Sequence, residues 1–260
     1  IMRNGINHFI SLIMEICIDS LESAKNAIDG GATRLEVCSA LSEGGLTPTP
    51  GLLQKIKSFS SVPIYAMLRL RAGNFIYSKE DMEVMIEDLK ILKNHGADGF
   101  VFGALTPSNE IDLDRCREIL LAARPLPVTF HRAFDEVHDP LKSMETVIDL
   151  GFERILTSGQ KDTAEEGLGL IKSLVESAGD RIIIMPGSGI TKTNILDIKV
   201  QSGAKEFHAS AKKRVVVSEG VNRVKIGATR ETSLAKLQTQ STNVVGIHLH
   251  LWINSSPSSR

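Results

Sequence analysis

The pattern of apolar and polar positions repeats along most of the chain. Four times, a glycine that ends a helix-like segment is followed within a few residues by a short apolar run. The copies read Gly31-Ala-Thr-Arg-Leu-Glu-Val-Cys, Gly96-Ala-Asp-Gly-Phe-Val-Phe-Gly, Gly151-Phe-Glu-Arg-Ile-Leu-Thr-Ser and Gly203-Ala-Lys-Glu-Phe-His-Ala-Ser. The segments before them, such as 83–93 and 141–150, have helical periodicity, and glycine suits the left-handed residue that closes a helix. The repeat therefore predicts a unit of helix, glycine and strand.

Four further strand candidates lie between these copies. They cover residues 14–19, 63–71, 127–132 and 181–186, and all are short and rich in Ile, Val, Met or Phe. Strands that alternate with helices form parallel sheets through right-handed crossovers, and eight such units close into a barrel. The sequence therefore predicts an α/β fold, a (β/α)8 TIM barrel. An open doubly wound sheet is the alternative, and it is disfavoured because no Gly-x-Gly-x-x-Gly turn follows the first strand.

The two ends of the chain depart from this pattern. Residues 1–13 are predicted to be an N-terminal extension, residues 14–237 the barrel domain, and residues 238–260 a divergent, poorly ordered tail. No clear eighth helix follows the last strand, because a polar run and then a strand-like segment, 243–254, stand in its place. Since this segment offers no amphipathic helix to cover the eighth strand, we expect residues 243–260 to be removable without unfolding the barrel.

Alternation of strand side chains sorts the aligned repeats into two faces. Large apolar side chains should face the helices: Leu35, Phe100, Ile155 and Phe207, with Ile16 and Ile18 on the first strand. The alternate positions should face the barrel interior: Glu36, Val101, Leu156 and His208, then Cys38, Gly103, Ser158 and Ser210. The same alternation points further side chains inward: Glu15, Cys17, Asp19, Arg69, Arg71, Thr129 and His131.

The interior predicted in this way gathers ionisable side chains that a barrel core rarely contains. The candidate catalytic groups are Glu15, Glu36, Arg69, His131 and His208. Barrel enzymes keep their chemistry at the carboxyl ends of the strands, and proton transfer needs an acid and a base beside one bound molecule. The alternative is that these charges pair to fill a wide barrel. Arg132 and Asp135, which follow the fifth strand, either position an anionic substrate or pin their loop.

Two stretches predict an anion site at the same mouth. Gly187-Ser188-Gly189 follows the seventh strand and is expected to open a helix, where many barrels cradle a phosphate on backbone amides. Ser210 can add a hydroxyl group, and Arg69 and Arg71, which should point the same way, suit a carboxylate or phosphate. Alternatively, the glycines serve only a tight turn, and the arginines pair with carboxylates inside the barrel.

The three cysteines bear on metal chemistry and on the redox compartment. Cys17 and Cys38 recur as Glu-x-Cys on the first two strands, so neighbouring parallel strands carry the same inward pair and the two thiols can come close. Thiolates select Cu(I), zinc or iron–sulfur clusters, and the absence of Cys-x-x-Cys pairs favours Cu(I) among these. Alternatively, Cys17 and Cys38 are small buried hydrophobic residues, as free cysteines often are, and this is how we interpret Cys116. An odd number of cysteines in a chain of this size favours the reducing cytosol.

The charge balance narrows the class of partner. The chain has 30 basic and 31 acidic residues, so no basic field exists to hold nucleic acid or an anionic membrane. The apolar stretch 9–18 is interrupted by Glu15 and is too short to span a bilayer. The charge balance therefore favours a small molecule or an ion as the partner, and the cysteines and the anion-binding stretches point to a copper ion and a small anionic ligand.

Several blocks of the sequence resemble the CutC family of copper homeostasis proteins. They are Met14-Glu-Ile-Cys-Ile-Asp-Ser20, Leu35-Glu-Val-Cys-Ser39, Leu41-Ser-Glu-Gly-Gly-Leu-Thr-Pro48, Gly96-Ala-Asp-Gly-Phe-Val-Phe-Gly103, Thr129-Phe-His-Arg-Ala-Phe-Asp135, Ile155-Leu-Thr-Ser-Gly159, Ile184-Met-Pro-Gly187 and Glu206-Phe-His208. The resemblance implies a barrel of this type, cytoplasmic placement, Cu(I) binding by Cys17 and Cys38, and room for homo-oligomers. It implies no reaction. The chain departs from the family pattern at Leu70, where proline is usual, and at Ser188, where glycine is usual.

The leading interpretation is thus a cytosolic Cu(I)-binding protein of the CutC type. The alternative is an uncharacterised TIM-barrel enzyme that acts on a small anionic or phosphorylated substrate at the mouth of the barrel. A pure interaction scaffold is disfavoured, because the polar residues concentrate inside the barrel rather than on its surface.

Overall fold

Eight parallel strands form the centre of the molecule. The structure, a computed structural model, describes residues 12–210, 213–216 and 237–240. The strands are β1 (Ile13–Ile18), β2 (Arg34–Val37), β3 (Ile64–Met67), β4 (Gly99–Phe102), β5 (Val128–Phe130), β6 (Arg154–Thr157), β7 (Ile183–Pro186) and β8 (Glu206–Ala209). Their order is β7-β6-β5-β4-β3-β2-β1-β8, and β1 pairs with both β2 and β8. The sheet is therefore a nearly closed TIM barrel, which confirms the predicted fold class.

Helices connect the strands and cover the outside of the barrel. Those in the described ranges are α1 (Leu21–Asp29), α2 (Pro50–Lys57), α3 (Lys79–Asn94), α4 (Leu113–Ala123), α5 (Pro140–Leu150), α6 (Leu168–Ala178) and α7 (Ile195–Ser202). Short 3₁₀ turns, Leu41–Glu43 and Arg132–Glu136, follow β2 and β5. None of the helices that the structure describes combines the length and the apolar character needed to cross a membrane.

Local chemistry sets where the helices begin and end. Five helices start at a side chain that accepts a hydrogen bond from the first turn: Ser20, Thr49, Ser78, Asp112 and Asp139. The four repeat glycines all lie at helix ends, with φ angles from 75° to 96°. Only glycine adopts this left-handed conformation at little steric cost. The predicted unit of helix, glycine and strand is therefore confirmed.

The predicted division of the faces is also confirmed within the strands, whereas Arg71, four residues beyond the end of β3, does not follow it. Leu35, Phe100, Ile155 and Phe207 are fully buried in the large core that the strands share with the helices. Ile16 and Ile18 belong to the same core. A separate cluster on the opposite strand faces holds Cys17, Cys38, Leu41, Tyr65, Met67 and Val101. The barrel thus has an apolar outer layer and an interior in which thiols and polar groups can meet.

The C-terminal part beyond β8 is described only in two short strands. β9 (Lys213–Val216) and β10 (Leu237–Gln240) pair as an antiparallel two-stranded sheet, separate from the barrel sheet. β10 lies at the boundary predicted between barrel and tail. The predicted removable segment 243–260 and most of the predicted extension 1–13 lie outside the described residues, so both remain predictions.

Candidate functional site

A cavity of about 410 Å³ lies at the carboxyl ends of the strands. Four of the five candidate catalytic residues line it: Glu36, Arg69, His131 and His208. The Cys17 thiol lines it as well. The fifth candidate, Glu15, is fully buried two residues earlier on β1, one layer deeper in the barrel. Strand alternation therefore brings the predicted polar residues together at the end of the barrel where barrel enzymes carry their chemistry.

Cys17, Glu36 and His208 form a compact buried group in this cavity. One ligand atom from each lies within 4.8 Å of the other two. The strand register explains this, because Cys17 on β1 pairs with Glu36 on β2, and β8 places His208 beside Glu15 on β1. His208 Nε2 is 3.5 Å from Glu36 Oε2, and His208 Nδ1 is 2.8 Å from Glu15 Oε1.

The two Glu-x-Cys pairs are offset along the barrel rather than directly side by side. Neighbouring strands of a closed barrel are staggered, so Glu15 lies opposite Arg34 and Cys17 opposite Glu36. Cys38 lies further along, where its amide donates to the Ile18 carbonyl over 2.9 Å. Both thiols nevertheless belong to one buried interior cluster, while Cys17 is the one that lines the cavity.

The ionisable groups around His208 strongly perturb each other. Burial raises the pKa of Glu15, but the hydrogen bond from His208 and the charge of Arg34 lower it to about 2 overall. Burial lowers the pKa of His208, but the charge of Glu36 and hydrogen bonds to Cys17 and Glu15 raise it well above its usual value. Burial raises the pKa of Glu36. Glu15 is therefore ionised at neutral pH, and the neighbours of His208 favour its cationic form.

Beneath this group lies a layer of buried charges that is not among the predicted site residues. Arg34 donates to Glu15 over 2.5 Å and to Glu206 over 2.7 Å. Arg154 Nε lies 3.2 Å from the same Glu206 oxygen. Both guanidinium groups lie over the Tyr65 ring, at 5.1 and 5.2 Å. The sequence repeats carry a signal for these residues. When the alternation is extended by two residues towards the start of each strand, it points these side chains inward.

Arg69 lies in the part of the cavity wall that follows β3. It is only 7% exposed. Its Nη1 donates to the Glu43 carbonyl over 2.7 Å and its Nη2 to the Gly73 carbonyl over 3.0 Å, while Nε has no partner in the described part of the chain. The guanidinium carbon lies 5.1 Å from the Phe75 ring centroid. The side chain is thus held in place by backbone carbonyls rather than by an acidic residue.

His131 follows β5 and lines the same wall. It is 3% exposed, and its Nδ1 accepts a hydrogen bond from the Ala133 amide over 3.2 Å. Its Nε2 has no partner among the described residues. Burial and the charge of Arg69 lower the pKa of His131 to about 3, so the ring is neutral at pH 7. Because Nδ1 accepts, the ring proton resides on Nε2.

The other predicted anion ligands are only partly gathered at the cavity. Ser188, Gly189 and Ser210 line it. The expectation that Gly187-Ser188-Gly189 opens a helix is wrong, because α7 begins only at Ile195. The Gly187 amide donates to the Thr157 carbonyl over 2.9 Å and is therefore not free for a ligand. Ser188 adopts a left-handed φ of 72°, which accounts for the glycine that is usual there.

Two arginines near the mouth make structural ion pairs. Arg71 does not line the cavity; its Nη2 lies 3.2 Å from Asp81 Oδ2 and donates to the Ile76 carbonyl over 2.6 Å. Arg132 Nε donates to Asp135 over 2.8 Å. Asp135 also accepts from the Ser158 amide over 3.0 Å. These contacts pin the loop to the end of β6, as one of the two interpretations of Arg132 and Asp135 expects, while both residues also line the cavity.

The chain resembles proteins of one family over most of its length. The CutC family model matches residues 12–213. A human protein named copper homeostasis protein cutC homolog is 54% identical over 200 residues, which cover 77% of this chain and 73% of that protein. A CutC family protein of Pasteurella multocida is 47% identical over 199 residues, 76% of this chain and 82% of that protein. The crystal structure of a CutC protein from Streptococcus agalactiae, 33% identical, superposes with a TM-score of 0.74 over 77% of this chain and 99% of that one. The chain therefore belongs to the CutC family.

Proposed function

We propose that this protein is a cytosolic copper homeostasis protein that binds Cu(I) inside the barrel, through the Cys17 thiolate and the His208 imidazole. The observation that carries the proposal is the buried group in which ligand atoms of Cys17, Glu36 and His208 lie within 4.8 Å of one another. Thiolate and imidazole are the donors that suit Cu(I), whereas carboxylate suits harder ions. Glu36 is therefore assigned a secondary role beside the ion, and Cys38, in the same interior cluster, is the second thiol.

The surroundings of His208 support this assignment. Histidines that bind metals usually donate their second ring N–H to a carboxylate, which fixes the ring orientation. His208 Nδ1 is placed in this way against Glu15, which leaves Nε2 on the side of Glu36 and Cys17. Arg34 in turn holds Glu15 over 2.5 Å. His208 is thus pre-oriented by a chain of buried contacts before an ion enters.

The names of the relatives and the state of the cysteines support the cellular part of the proposal. Relatives from human and mouse are named copper homeostasis protein cutC homologs. All three cysteines are buried and free. Free thiols are typical of proteins in reducing compartments, where Cu(I) rather than Cu(II) is the stable ion to bind.

Anaerobic competition with a chromophoric Cu(I) chelator tests the site. Cys17→Ser should abolish stoichiometric Cu(I) binding, because it removes the thiolate that lines the cavity. Cys38→Ser should weaken binding, and the double variant Cys17→Ser/Cys38→Ser should show none. The matched control is Cys116→Ser, since Cys116 is an equally buried thiol on α4, outside the barrel interior. Thermal unfolding of each variant confirms that it is folded. Unchanged stoichiometry in the double variant would refute the proposal.

A further inference from the structure

We propose that the cavity holds a second site, which shares Glu36 with the proposed copper site, for a small hydroxylated anion whose carboxylate or phosphate group binds Arg69 and His131. This site differs from the one expected from the sequence. The sequence predicts an anion site made of Arg69, Arg71, the turn at residues 187–189 and Ser210, and of these the proposed site keeps Arg69. Arg71 is paired with Asp81, and the Gly187 amide is already hydrogen bonded, so neither can carry it.

Arg69 supplies the charge that an anion would neutralise. A buried guanidinium group is costly unless an opposite charge accompanies it, and buried arginines are normally paired. In the described part of the chain, the hydrogen-bond partners of the Arg69 side chain are the backbone carbonyls of Glu43, Gly45 and Gly73, and no carboxylate is among them. These carbonyls fix the guanidinium but do not cancel its charge. Its buried Nε–H has no hydrogen-bond partner in the described part of the chain, and the side chain lines the cavity.

His131 supplies a second donor, and its orientation is fixed by its neighbours. The Ala133 amide donates to Nδ1, so the neutral ring carries its proton on the unpartnered Nε2. The ring occupies space that only a glycine at position 103 leaves open, since a Cβ atom there would lie 2.5 Å from Nδ1. Phe75 covers the ring at a centroid distance of 4.9 Å and also packs against Arg69. Arg69 and His131 are thus two rigid donors that share one aromatic support.

Glu36 and the size of the cavity define the rest of the ligand. Glu36 Oε1 is a buried acceptor without a partner among the described residues, and it lines the same cavity. A hydroxyl group on the ligand would donate to it. A cavity of about 410 Å³ is at the small end of ligand pockets, which span roughly 300–1,000 Å³. The exposed rim carries both signs of charge, with Glu43 and Glu136 beside Arg132, so it is the volume that limits the ligand to a small molecule. The fitting class is a small hydroxy acid or a small phosphorylated alcohol.

Thermal-shift and calorimetric titrations of the metal-free full chain test the site. The probes are glycolate and acetate, which differ by one hydroxyl group, and glycerol 1-phosphate and inorganic phosphate. Glycolate or glycerol 1-phosphate should bind saturably and more tightly than the matching probe without a hydroxyl group. Preference for the carboxylate or for the phosphate pair identifies the head group. No saturable binding of any probe would overturn the proposal, and equal binding of acetate and glycolate, and of the two phosphates, would overturn the hydroxyl assignment.

Variants separate this site from a general charge effect and from the copper site. Arg69→Lys keeps the charge but loses the planar donor array, and His131→Asn keeps an acceptor for the Ala133 amide but loses Nε2–H. Each should weaken the affinity for the anion by at least about tenfold, which is the loss expected for one charge-assisted hydrogen bond. Arg71→Ala, in the ion pair outside the cavity, is the control and should bind as the wild type does. Equal responses of Arg69→Lys, His131→Asn and Arg71→Ala would overturn the proposal. Cys17→Ser should still bind the anion but should no longer bind Cu(I), so the loss of one site can be told from the loss of the other.

Discussion

Replacing Glu15 with glutamine removes the charge at the centre of the buried network while nearly preserving shape. Glu15 is fully buried and accepts from Arg34 over 2.5 Å and from His208 over 2.8 Å. A carboxamide can accept from only one of them, and its NH2 group then faces the other donor. Arg34 keeps Glu206 as a partner, whereas the protonated His208 loses its nearest counter-charge.

Two estimates give the size of the loss. The neighbours lower the pKa of Glu15 from 4.5 to about 2, which corresponds to about 3 kcal/mol of preference for the ionised form. Removing one partner of a buried ion pair typically costs about 3–5 kcal/mol. We therefore expect Glu15→Gln to lower the free energy of unfolding by about 3 kcal/mol at pH 7. Because the folded pKa is the lower one, this stabilisation is present above about pH 4.5 and is lost as the pH falls towards about 2.

Urea unfolding, followed by circular dichroism at several pH values, measures this difference. The matched control is Glu145→Gln, which removes an exposed partner of Arg181 and should leave the unfolding midpoint nearly unchanged. The gap between the wild type and Glu15→Gln should narrow on acidification. A loss no larger than that of the control, or a gap that widens at low pH, would show that Glu15 does not anchor the network.

Three further outcomes follow from the same interior. Gly99→Ala places a Cβ atom 2.6 Å from the Tyr65 ring and should destabilise the fold by about 1–3 kcal/mol. Gly51→Ala, which adds a Cβ atom in open space, should not destabilise it, and denaturant midpoints measure both effects. The wild type should lose about 2 kcal/mol of stability between pH 7 and about pH 5, because His131 protonates below about pH 6.5 in the unfolded chain but not in the folded one. His131→Asn should not show this loss. Cu(I) affinity should rise with pH from about 6 to 8, because the raised pKa of His208 makes the ion compete with a proton; competition assays that show no pH dependence would exclude His208 as a ligand.

Strand alternation predicts the polar interior because it is a local property. The direction of a strand side chain depends only on its position along that strand, so Glu36, His131 and His208 could be assigned inward without knowledge of their partners. The glycines that close the helices are equally local, since their left-handed φ angles need no tertiary contact. These signals sufficed for the barrel and for most of the cavity wall.

Pairing across strands and loops could not be predicted in the same way. The stagger that sets Cys17 opposite Glu36 comes from closure of the whole barrel and leaves no mark on either strand. Arg71 shares the parity of Arg69, yet an acidic residue ten positions later in the chain, Asp81, draws it out of the cavity. The delayed start of α7 likewise depends on the loop before Ile195, which glycines alone do not determine.

X-ray absorption at the copper edge, on the wild-type protein loaded anaerobically with one equivalent of Cu(I), tests the central claim most directly. Ligation by Cys17 and His208 predicts sulfur scattering together with the outer-shell pattern of imidazole. In Cys17→Ser the bound copper should be lost, and in Cys116→Ser the spectrum should match the wild type. A wild-type spectrum with sulfur ligands alone, or with no sulfur, would contradict binding of Cu(I) between Cys17 and His208.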